Sequence, residues 1–217
     1  MEGKTLVISG SGNVATHAAE LAQQKGAKVV AMSDSGGYIY DKEGINLDVV
    51  RQIKETRRGR IKEYLEQIPR AVYKEKQRIW SIPCDIALPC ATQNELLLPD
   101  AKNLKRNGCI AVAEGANMPC DRAATGFFQK NGILFMPGKA ANGGGVAVST
   151  LEMRQNGMRV NCEFENVNRQ LRDIMAGIYV KTADAAERFG VKDNYLAGAN
   201  IAAFEKLSEA MMAQGYS

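Results

Sequence analysis

The chain is poor in aromatic residues, histidine and paired cysteines, and each shortage excludes a class of function. Only 6% of the 217 residues are aromatic, and the net charge is a mild +4. Electrostatic binding of nucleic acid needs a denser basic stripe with interleaved aromatics, so we expect no nucleic-acid partner. No two of the five cysteines form a CxxC pair, and His17 alone cannot complete a zinc set with them. We therefore expect no metal site, and a small anionic ligand fits the weak positive charge better.

Long apolar runs are missing as well. No segment reaches the roughly 18 apolar residues of a membrane span, and the N-terminus, MEGKTLVISG, has no apolar run before a cleavage site. The scattered cysteines are typical of buried positions in a reduced cytosolic protein. We therefore expect a cytoplasmic protein that does not bind membranes.

The first 32 residues have the pattern of a strand–helix–strand unit. Residues 5–9 (TLVIS) form a continuous apolar run, which is typical of a strand buried on both faces of a parallel sheet. From Asn13 to Lys25 the pattern is helical, with an apolar stripe, and Gly26 fits the position just after a helix. The stripe comprises Val14, Ala18, Leu21 and Ala22. Residues 28–32 (KVVAM) then predict a second strand, completing a βαβ unit.

Further short apolar runs alternate with helical segments along the rest of the chain. Strands are predicted at 85–88, 109–113 and 133–136, a small hairpin at 38–40, and helices from Asn46 toward Arg57, over 61–68 and over 121–130. Longer helices are predicted after the glycine-rich segment 137–145, from Cys162 to Phe189 and from Asn200 to Ala213. This alternation favours an α/β fold with a doubly wound, mostly parallel Rossmann-type sheet at 1–160 and a C-terminal helical extension at 161–217.

The turn after the first strand fits the GxGxxG/A phosphate-binding pattern. It consists of Gly10, Ser11, Gly12, Asn13, Val14 and Ala15. The first glycine allows the tight turn, the second lets the backbone approach a pyrophosphate, and the small Ala15 lets the helix lie close to the sheet. Because the pattern lies between a buried strand and an amphipathic helix, we interpret it as a dinucleotide site and not as a tight turn without a ligand.

The residues alone leave NAD and NADP open. Asp34 ends the second strand, where an acid normally binds the ribose 2′-hydroxyl of NAD and repels a 2′-phosphate. Against this, Lys54, Arg57 and Arg60 recur at a spacing of three, which on one helix would place three cations on one side for a phosphate dianion. A solvated basic helix face would give the same spacing.

Several segments, taken in order, resemble the cofactor domain of hexameric bacterial glutamate dehydrogenases, and together they extend over nearly the whole chain. They are residues 7–15 (VISGSGNVA), 33–37 (SDSGG), 87–95 (ALPCATQNE), 113–119 (AEGANMP), 137–146 (PGKAANGGGV) with Ser149, Glu152 and Met153, and 198–201 (GANI).

The resemblance implies roles for individual residues. The turn from Gly10 to Ala15 would hold the pyrophosphate of NADP. Asp34 would be tolerated, and Ser35 with the three cations would surround the 2′-phosphate. Further roles fall on Ala91, Thr92 and Gln93 along the cofactor ribose, on Asn117 and Asn142 near the nicotinamide and its ribose, and on Ser149 at the side-chain carboxylate of glutamate. By residue chemistry alone, the two asparagines also suit turns, and a helical serine also bonds its own backbone.

The resemblance also implies the reaction and a missing part. Glutamate dehydrogenases deaminate L-glutamate oxidatively to 2-oxoglutarate and ammonia, or run the reverse, as homo-oligomers, here a hexamer. The substrate motif of that family, GGxKGG, has no match in the chain. We therefore expect a fragment of a longer protein that is inactive alone, with no catalytic residue of its own.

Two alternatives stay open at this point. One is the cofactor domain of a leucine, valine or phenylalanine dehydrogenase, which usually uses NAD. The other is a nucleotide-binding or oligomerisation module without catalysis, since the C-terminal helices have apolar faces that suit another domain or subunit. Comparing NADP with NAD binding, and the oligomeric state with and without NADP, would discriminate them.

Overall fold

The computed structural model describes residues 1–160 and 162–215, which form two compact units, Met1–Phe135 and Met136–Ser217. Residues 161, 216 and 217, which belong to the predicted extension, lie outside the described residues. The boundary between the two units in the chain lies between Phe135 and Met136. The division predicted from the sequence, a dinucleotide-binding domain at 1–160 and a helical extension at 161–217, stays a prediction.

A seven-stranded, mostly parallel sheet confirms the predicted α/β class. The strands are β1 (Thr5–Ile8), β2 (Lys28–Asp34), β3 (Gly37–Tyr40), β4 (Val72–Glu75), β5 (Ile86–Leu88), β6 (Ala111–Ala113) and β7 (Leu134–Met136). Their order is β4-β3-β2-β1-β5-β6-β7. β1 pairs in parallel with β2 and β5, and β5 pairs in parallel with β6. The predicted hairpin at 38–40 is β3, which runs antiparallel to both β2 and β4.

Helices connect the strands and form most of the second unit. They are α1 (Asn13–Gln24), α2 (Leu47–Arg51), α3 (Tyr64–Gln67), α4 (Leu98–Arg106), α5 (Arg122–Lys130), α6 (Gly138–Ala141), α7 (Gly143–Met158), α8 (Phe164–Arg188) and α9 (Tyr195–Gln214). A π-helical segment, Gln52–Thr56, continues α2, and short 3-10 segments lie at Ile61–Glu63 and Ile79–Ser81. The predicted cap at Asn46 is confirmed, because its side chain accepts from the N–H groups of Asp48 and Val49.

The core of the first unit lies around β1. Leu6, Val7 and Ile8 are all 0% exposed, as expected for a strand covered on both faces. This burial fixes β1 at the centre of the sheet, and the turn that follows it therefore starts from a rigid position.

The apolar stripe predicted for α1 is correct for Ala22, which is buried, and for Ala18, which packs against the core, but wrong for Val14 and Leu21. Val14 and Leu21 are 52% and 56% exposed, whereas Ala15, Ala19 and Ala22 form the buried face. A face of alanines allows the helix axis to come close to the sheet, so the larger apolar residues lie outside the contact. The helix ends as predicted, with Gly26 in the left-handed region at φ 78°.

The sequence patterns did not predict β4 and α4. β4 (VYKE) is an edge strand whose residues are mostly exposed, so it has little apolar alternation to detect. α4 is short and mostly polar, with Pro99 in its first turn and Asp100 accepting from the Leu97 N–H at 2.9 Å. That bond is the half of a capping box in which a carboxylate inside the first turn accepts from the N–H of the residue before the helix.

In the second unit, α8 and α9 cross closely at a glycine. A Cβ on Gly198 would lie 2.2 Å from the Thr182 carbonyl oxygen, so no larger residue fits without moving a helix. At the end of α8, Arg188 donates to both carboxylate oxygens of Glu205 in α9, at 2.9 and 2.7 Å. α7 has no buried residue, and large apolar side chains of α7, α8 and α9 such as Met153, Phe164 and Phe204 are exposed.

Candidate cofactor site

The glycine turn after β1 has the geometry that a phosphate group needs. Gly10 has φ 85°, and a Cβ there would lie 3.1 Å from the Cys90 carbonyl oxygen, so only glycine suits the turn. Gly12 is the N-cap of α1 and provides no side-chain cap, and nothing lies within 4 Å of the position its Cβ would take. The space beside the start of α1 is therefore open at Gly12, and the first turn has no acidic residue. This arrangement favours an anion at the helix N-terminus.

Ser33 holds the turn in place, which the sequence pattern did not single out. The Gly10 N–H donates to the Ser33 hydroxyl at 2.9 Å, and the Ser33 N–H donates to the Gly10 carbonyl at 3.3 Å. The turn is therefore tied to the end of β2. A serine at the end of a strand adjacent to a glycine turn is the only sequence signal for this bond.

The carboxylate of Asp34, at the end of β2, accepts hydrogen bonds from within the protein. The side chain is 7% exposed, and its two oxygens accept from the N–H groups of Gly36 at 2.8 Å and Ile61 at 3.0 Å. The Lys54 ammonium lies 3.9 Å from the same carboxylate. The negative charge is therefore neutralised and largely covered, and it presents little surface to a ligand.

The three predicted cations do not lie on one helix. The helical segment ends at Thr56, Arg58 has φ 53°, and Arg60 begins the next short helix, so the expectation of one basic helix face is wrong. Lys54 and Arg60 nevertheless lie beside the end of β2. Lys54 Nζ donates to the Gly59 carbonyl at 3.0 Å, and Arg60 Nη1 donates to the exposed Ser35 hydroxyl at 2.7 Å.

Arg57 makes different contacts from Lys54 and Arg60. Its guanidinium is 3.9 Å from the Glu66 carboxylate, at a largely exposed position. Because no contact joins Arg57 to Ser35 or Asp34, its assignment to the 2′-phosphate stays a prediction that rests on the resemblance.

The loop after β5, with Ala91, Thr92 and Gln93, is fixed from beneath by Glu95. One Glu95 oxygen accepts from the Ser9 hydroxyl at 2.7 Å and from the Ala91 N–H at 3.0 Å. The Ser9 hydroxyl in turn accepts from the Cys90 N–H at 2.9 Å. Burial raises the pKa of the Glu95 carboxyl, and these hydrogen bonds oppose the rise. This network joins β1 to the loop, while residues 91–93 stay exposed.

The loops after β5 and β6 are joined by backbone hydrogen bonds. The Asn94 N–H donates to the Met118 carbonyl at 3.0 Å, and the Leu96 N–H donates to the Pro119 carbonyl at 2.9 Å. Asn94 and Met118 both have positive φ, of 54° and 47°, an uncommon conformation for residues other than glycine. Asn117 lies exposed in the second of these loops. Predicted residues from both loops therefore share one end of the sheet.

A close contact also links the second loop to the turn. A Cβ on Gly115 would lie 2.4 Å from Cys90 Sγ and 3.2 Å from Val14 Cγ1. Gly115 therefore allows three segments, the β6 loop, the β5 loop and the start of α1, to meet.

Two predicted residues, Asn142 and Ser149, lie in the second unit. Asn142 is the residue before α7, and its N–H donates to the Gly138 carbonyl at 2.8 Å. Ser149 lies exposed on α7. Their roles toward cofactor and glutamate stay predictions.

Within 1–160 and 162–215, no group of three or more His, Cys, Asp or Glu side chains is arranged to hold a metal ion. None of the helices described over those ranges is long and apolar enough to span a membrane.

Comparison with known proteins gives concordant matches. The sequence profile of the Glutamate/Leucine/Phenylalanine/Valine dehydrogenase family matches residues 1–215. The NADP-specific glutamate dehydrogenase of Helicobacter pylori is 49% identical over 222 residues, covering 99% of this chain and 50% of that protein. The NAD(P)-specific glutamate dehydrogenase of Xylanibacter ruminicola is 48% identical over 218 residues, covering 99% and 49%.

A solved structure has the same fold. The crystal structure of Plasmodium falciparum glutamate dehydrogenase superimposes with a TM-score of 0.95 at 42% identity, covering 99% of this chain and 47% of that one. The chain thus spans about half the length of the curated relatives it matches.

Proposed function

Because the chain belongs to the glutamate/leucine/phenylalanine/valine dehydrogenase family, we propose that it is the NADP-binding part of a glutamate dehydrogenase. The observation that carries the cofactor choice is the covered carboxylate of Asp34 beside two cations. In an NAD site, a free carboxylate at this position accepts from the ribose 2′-hydroxyl. Here both Asp34 oxygens already accept backbone N–H bonds, and Lys54 offsets the charge.

The residues around the end of β2 suit a 2′-phosphate. Ser35 offers an exposed hydroxyl, and the Arg60 guanidinium that donates to it can also donate to phosphate oxygens. Arg60 is exposed, so a dianion reaches it without rearrangement of the core. Two of the three predicted cations therefore have supporting geometry, and Arg57 is the third candidate.

The glycine turn suits the pyrophosphate. The space beside Gly12, at the start of α1, is open, and the buried Ala15 holds the helix close to the sheet, so a phosphate can approach the helix N-terminus. When bound, NADP supplies the hydride acceptor and NADPH the donor, while the chain binds and orients them. We assign the exposed loop of Ala91, Thr92 and Gln93 to the ribose side. To Asn117 and Asn142 we assign the nicotinamide and its ribose.

The wider proposal concerns the whole protein. It oxidises L-glutamate to 2-oxoglutarate and ammonia, or runs the reverse, with Ser149 at the substrate side-chain carboxylate. It acts in the cytoplasm as a homo-hexamer. The names of the relatives that the chain matches at 48% and 49% identity support this reaction.

Cofactor binding tests the assignment of the phosphate. We expect Lys54→Ala and Arg60→Ala to weaken NADPH binding, followed by nucleotide fluorescence, by about tenfold or more each, since a lost charge-assisted hydrogen bond is worth about 1.5–3 kcal/mol. NADH affinity should stay within about twofold, because NADH lacks the 2′-phosphate.

Lys62→Ala is the matched control, since Lys62 is exposed on the same short segment and its removal changes the net charge equally. Arg57→Ala, measured in parallel, decides whether the third cation contributes. Equal losses for all four variants, or unchanged NADPH affinity in Lys54→Ala and Arg60→Ala, would show that the 2′-phosphate does not bind here.

Activity tests the reaction. Glutamate-dependent NADP reduction is measured with the purified 217-residue chain and with the chain joined to the half of a matched relative that it does not cover. We expect activity only in the joined protein. Activity of the 217 residues alone contradicts the assignment of catalytic groups outside them, and leucine or valine oxidation with NAD favours the rival dehydrogenases.

A further inference from the structure

Two cysteines lie side by side where β5 and β6 begin. Ile86 of β5 pairs in parallel with Ala111 of β6. Cys84 lies two residues before Ile86, and Cys109 lies two residues before Ala111. Residues two apart on a strand lie on the same face, so the register, continued backward beyond the two strands, places Cys84 opposite Cys109. Pairing continues toward them, because the Ile110 N–H donates to the Asp85 carbonyl at 2.8 Å.

Their spacing and contacts suit a disulfide. Neighbouring strands lie about 4.7–4.9 Å apart, within the roughly 4.4–6.8 Å between Cα atoms that disulfides span. The Cys84 thiol hydrogen-bonds to the Cys109 sulfur. The Cys109 thiol also donates to the Ala111 carbonyl at 3.2 Å.

We propose that Cys84 and Cys109 are a redox modification site, at which a peroxide converts the buried dithiol into a disulfide that links β5 to β6. The two cysteines lie at the end of the sheet where β5 and β6 begin. The glycine turn follows the end of β1, so it lies at the opposite end of these parallel strands. The site is therefore independent of the proposed cofactor function.

The chemistry balances with hydrogen peroxide as the oxidant. The Cys109 sulfur attacks one peroxide oxygen, the O–O bond breaks, and water leaves as a sulfenic acid forms on Cys109. The Cys84 sulfur then attacks the Cys109 sulfur, the S–O bond breaks, and the hydroxyl leaves as a second water with the Cys84 proton. Two thiols and one peroxide thus give one disulfide and two waters.

The hydrogen bond between the thiols sets the order of these steps. It lowers the pKa of Cys109, which receives the bond, and raises the pKa of Cys84, which donates it. Cys109 is therefore the thiol that ionises first and attacks the peroxide, and Cys84 is the resolving thiol.

Access limits the rate. Cys84 and Cys109 are 5% and 3% exposed, but Ile110, next to Cys109, is 51% exposed. A molecule of peroxide, which is little larger than water, reaches Cys109 when the segment at Ile110 opens locally.

The test is oxidation of the folded chain with hydrogen peroxide, followed by alkylation in denaturant and peptide mapping by mass spectrometry without reduction. The expected product is one linked peptide pair containing Cys84 and Cys109, which a reductant separates. Cys90 and Cys120 are the internal controls, since they are buried to a similar extent, and burial raises the pKa of Cys90 to about 12 and that of Cys120 as well. Both should stay alkylatable over the same exposure.

Two variants separate the roles. In Cys84→Ser, a dimedone-type reagent should trap a sulfenic acid on Cys109, because the resolving thiol is absent. In Cys109→Ser, Cys84 should stay reduced. Cys162, which is only partly buried, reports that the peroxide has reacted with the chain. The proposal is overturned if Cys162 is oxidised while Cys84 and Cys109 of the wild type remain fully alkylatable. It is equally overturned if the linked pair forms only at denaturant concentrations that unfold the chain.

Discussion

The carboxylate of Asp34 accepts a hydrogen bond from the backbone N–H of Ile61 at 3.0 Å. Through this bond, the end of β2 fixes the start of the segment that carries Arg60. The same residue that argues for NAD in the sequence therefore positions a cation that suits NADP.

Replacing Asp34 with asparagine should destabilise the fold. An amide keeps one acceptor oxygen, so one of the two N–H donors, from Gly36 or Ile61, loses its partner in a nearly buried place. We expect a loss of about 1–3 kcal/mol in the free energy of unfolding, measured with urea. Ser35→Ala, at the exposed neighbour, should change it by no more than about 0.5 kcal/mol. Equal effects of the two substitutions would contradict the structural role of Asp34.

Gly115→Ala should also destabilise the chain, because its Cβ would lie 2.4 Å from Cys90 Sγ. We expect a cost of about 1–3 kcal/mol from this overpacking. The double variant with Cys90→Ala removes the sulfur and should recover part of the loss. The measurement is a double-mutant cycle on urea unfolding, and strictly additive effects would show that the two side chains do not compete for space.

Stability should depend on pH through Glu95. Burial raises its pKa in the folded state, so ionisation is harder there than in the unfolded chain. The stability from this group is present below the unfolded pKa, about 4.3, and is lost as pH rises through the raised folded value. Glu95→Gln, which keeps an acceptor oxygen, should therefore remove this loss, seen as urea midpoints compared from about pH 4 to about pH 7.

Asp85 supplies a control of opposite sign for that experiment. The hydrogen bond from the Thr5 N–H lowers the pKa of Asp85, so its contribution is present above the unfolded pKa and is lost as pH falls through the folded value. Asp85→Asn should lower the stability near neutral pH and flatten the acid side of the profile, because the contribution that the wild type loses in acid is absent from the variant. A difference between wild type and Glu95→Gln that stays constant with pH would disprove the role of Glu95 ionisation.

Two helical glycines of the second unit should respond in opposite directions to alanine. Gly198→Ala introduces a Cβ 2.2 Å from the Thr182 carbonyl and should cost about 1–3 kcal/mol. Gly177→Ala meets nothing within 4 Å and should stabilise α8 by about 0.5–1 kcal/mol, because alanine favours helix. Thermal unfolding by circular dichroism reports both, and shifts of the same sign would argue against a close crossing of α8 and α9.

The fold was largely predictable from local patterns. The βαβ unit, the cap at Asn46 and the end of α1 at Gly26 follow from residue types whose backbone preferences are strong. β4 escaped prediction because an exposed edge strand lacks apolar alternation. The predicted burial of Val14 and Leu21 was wrong. A large apolar side chain indicates burial on average, whereas close packing of α1 on this sheet requires alanine.

The site was predictable only in part. The glycine turn follows from one short pattern, but the relation between Lys54 and Arg60 depends on a left-handed turn at Arg58, which no spacing rule contains. The anchors Ser33 and Glu95 contact the site from segments that are distant in the chain. Their roles come from tertiary hydrogen bonds, and these are set by the fold as a whole.

The backbone bonds between the loops after β5 and β6 limit how either loop can change in length. The N–H groups of Asn94 and Leu96 donate to the consecutive carbonyls of Met118 and Pro119, and Leu96 forms a parallel bridge with Cys120. An insertion in one loop would shift this pairing out of step and displace the other loop's asparagine. A redesign of either loop should therefore change both loops together, because neither can be lengthened alone without breaking the bonds between them.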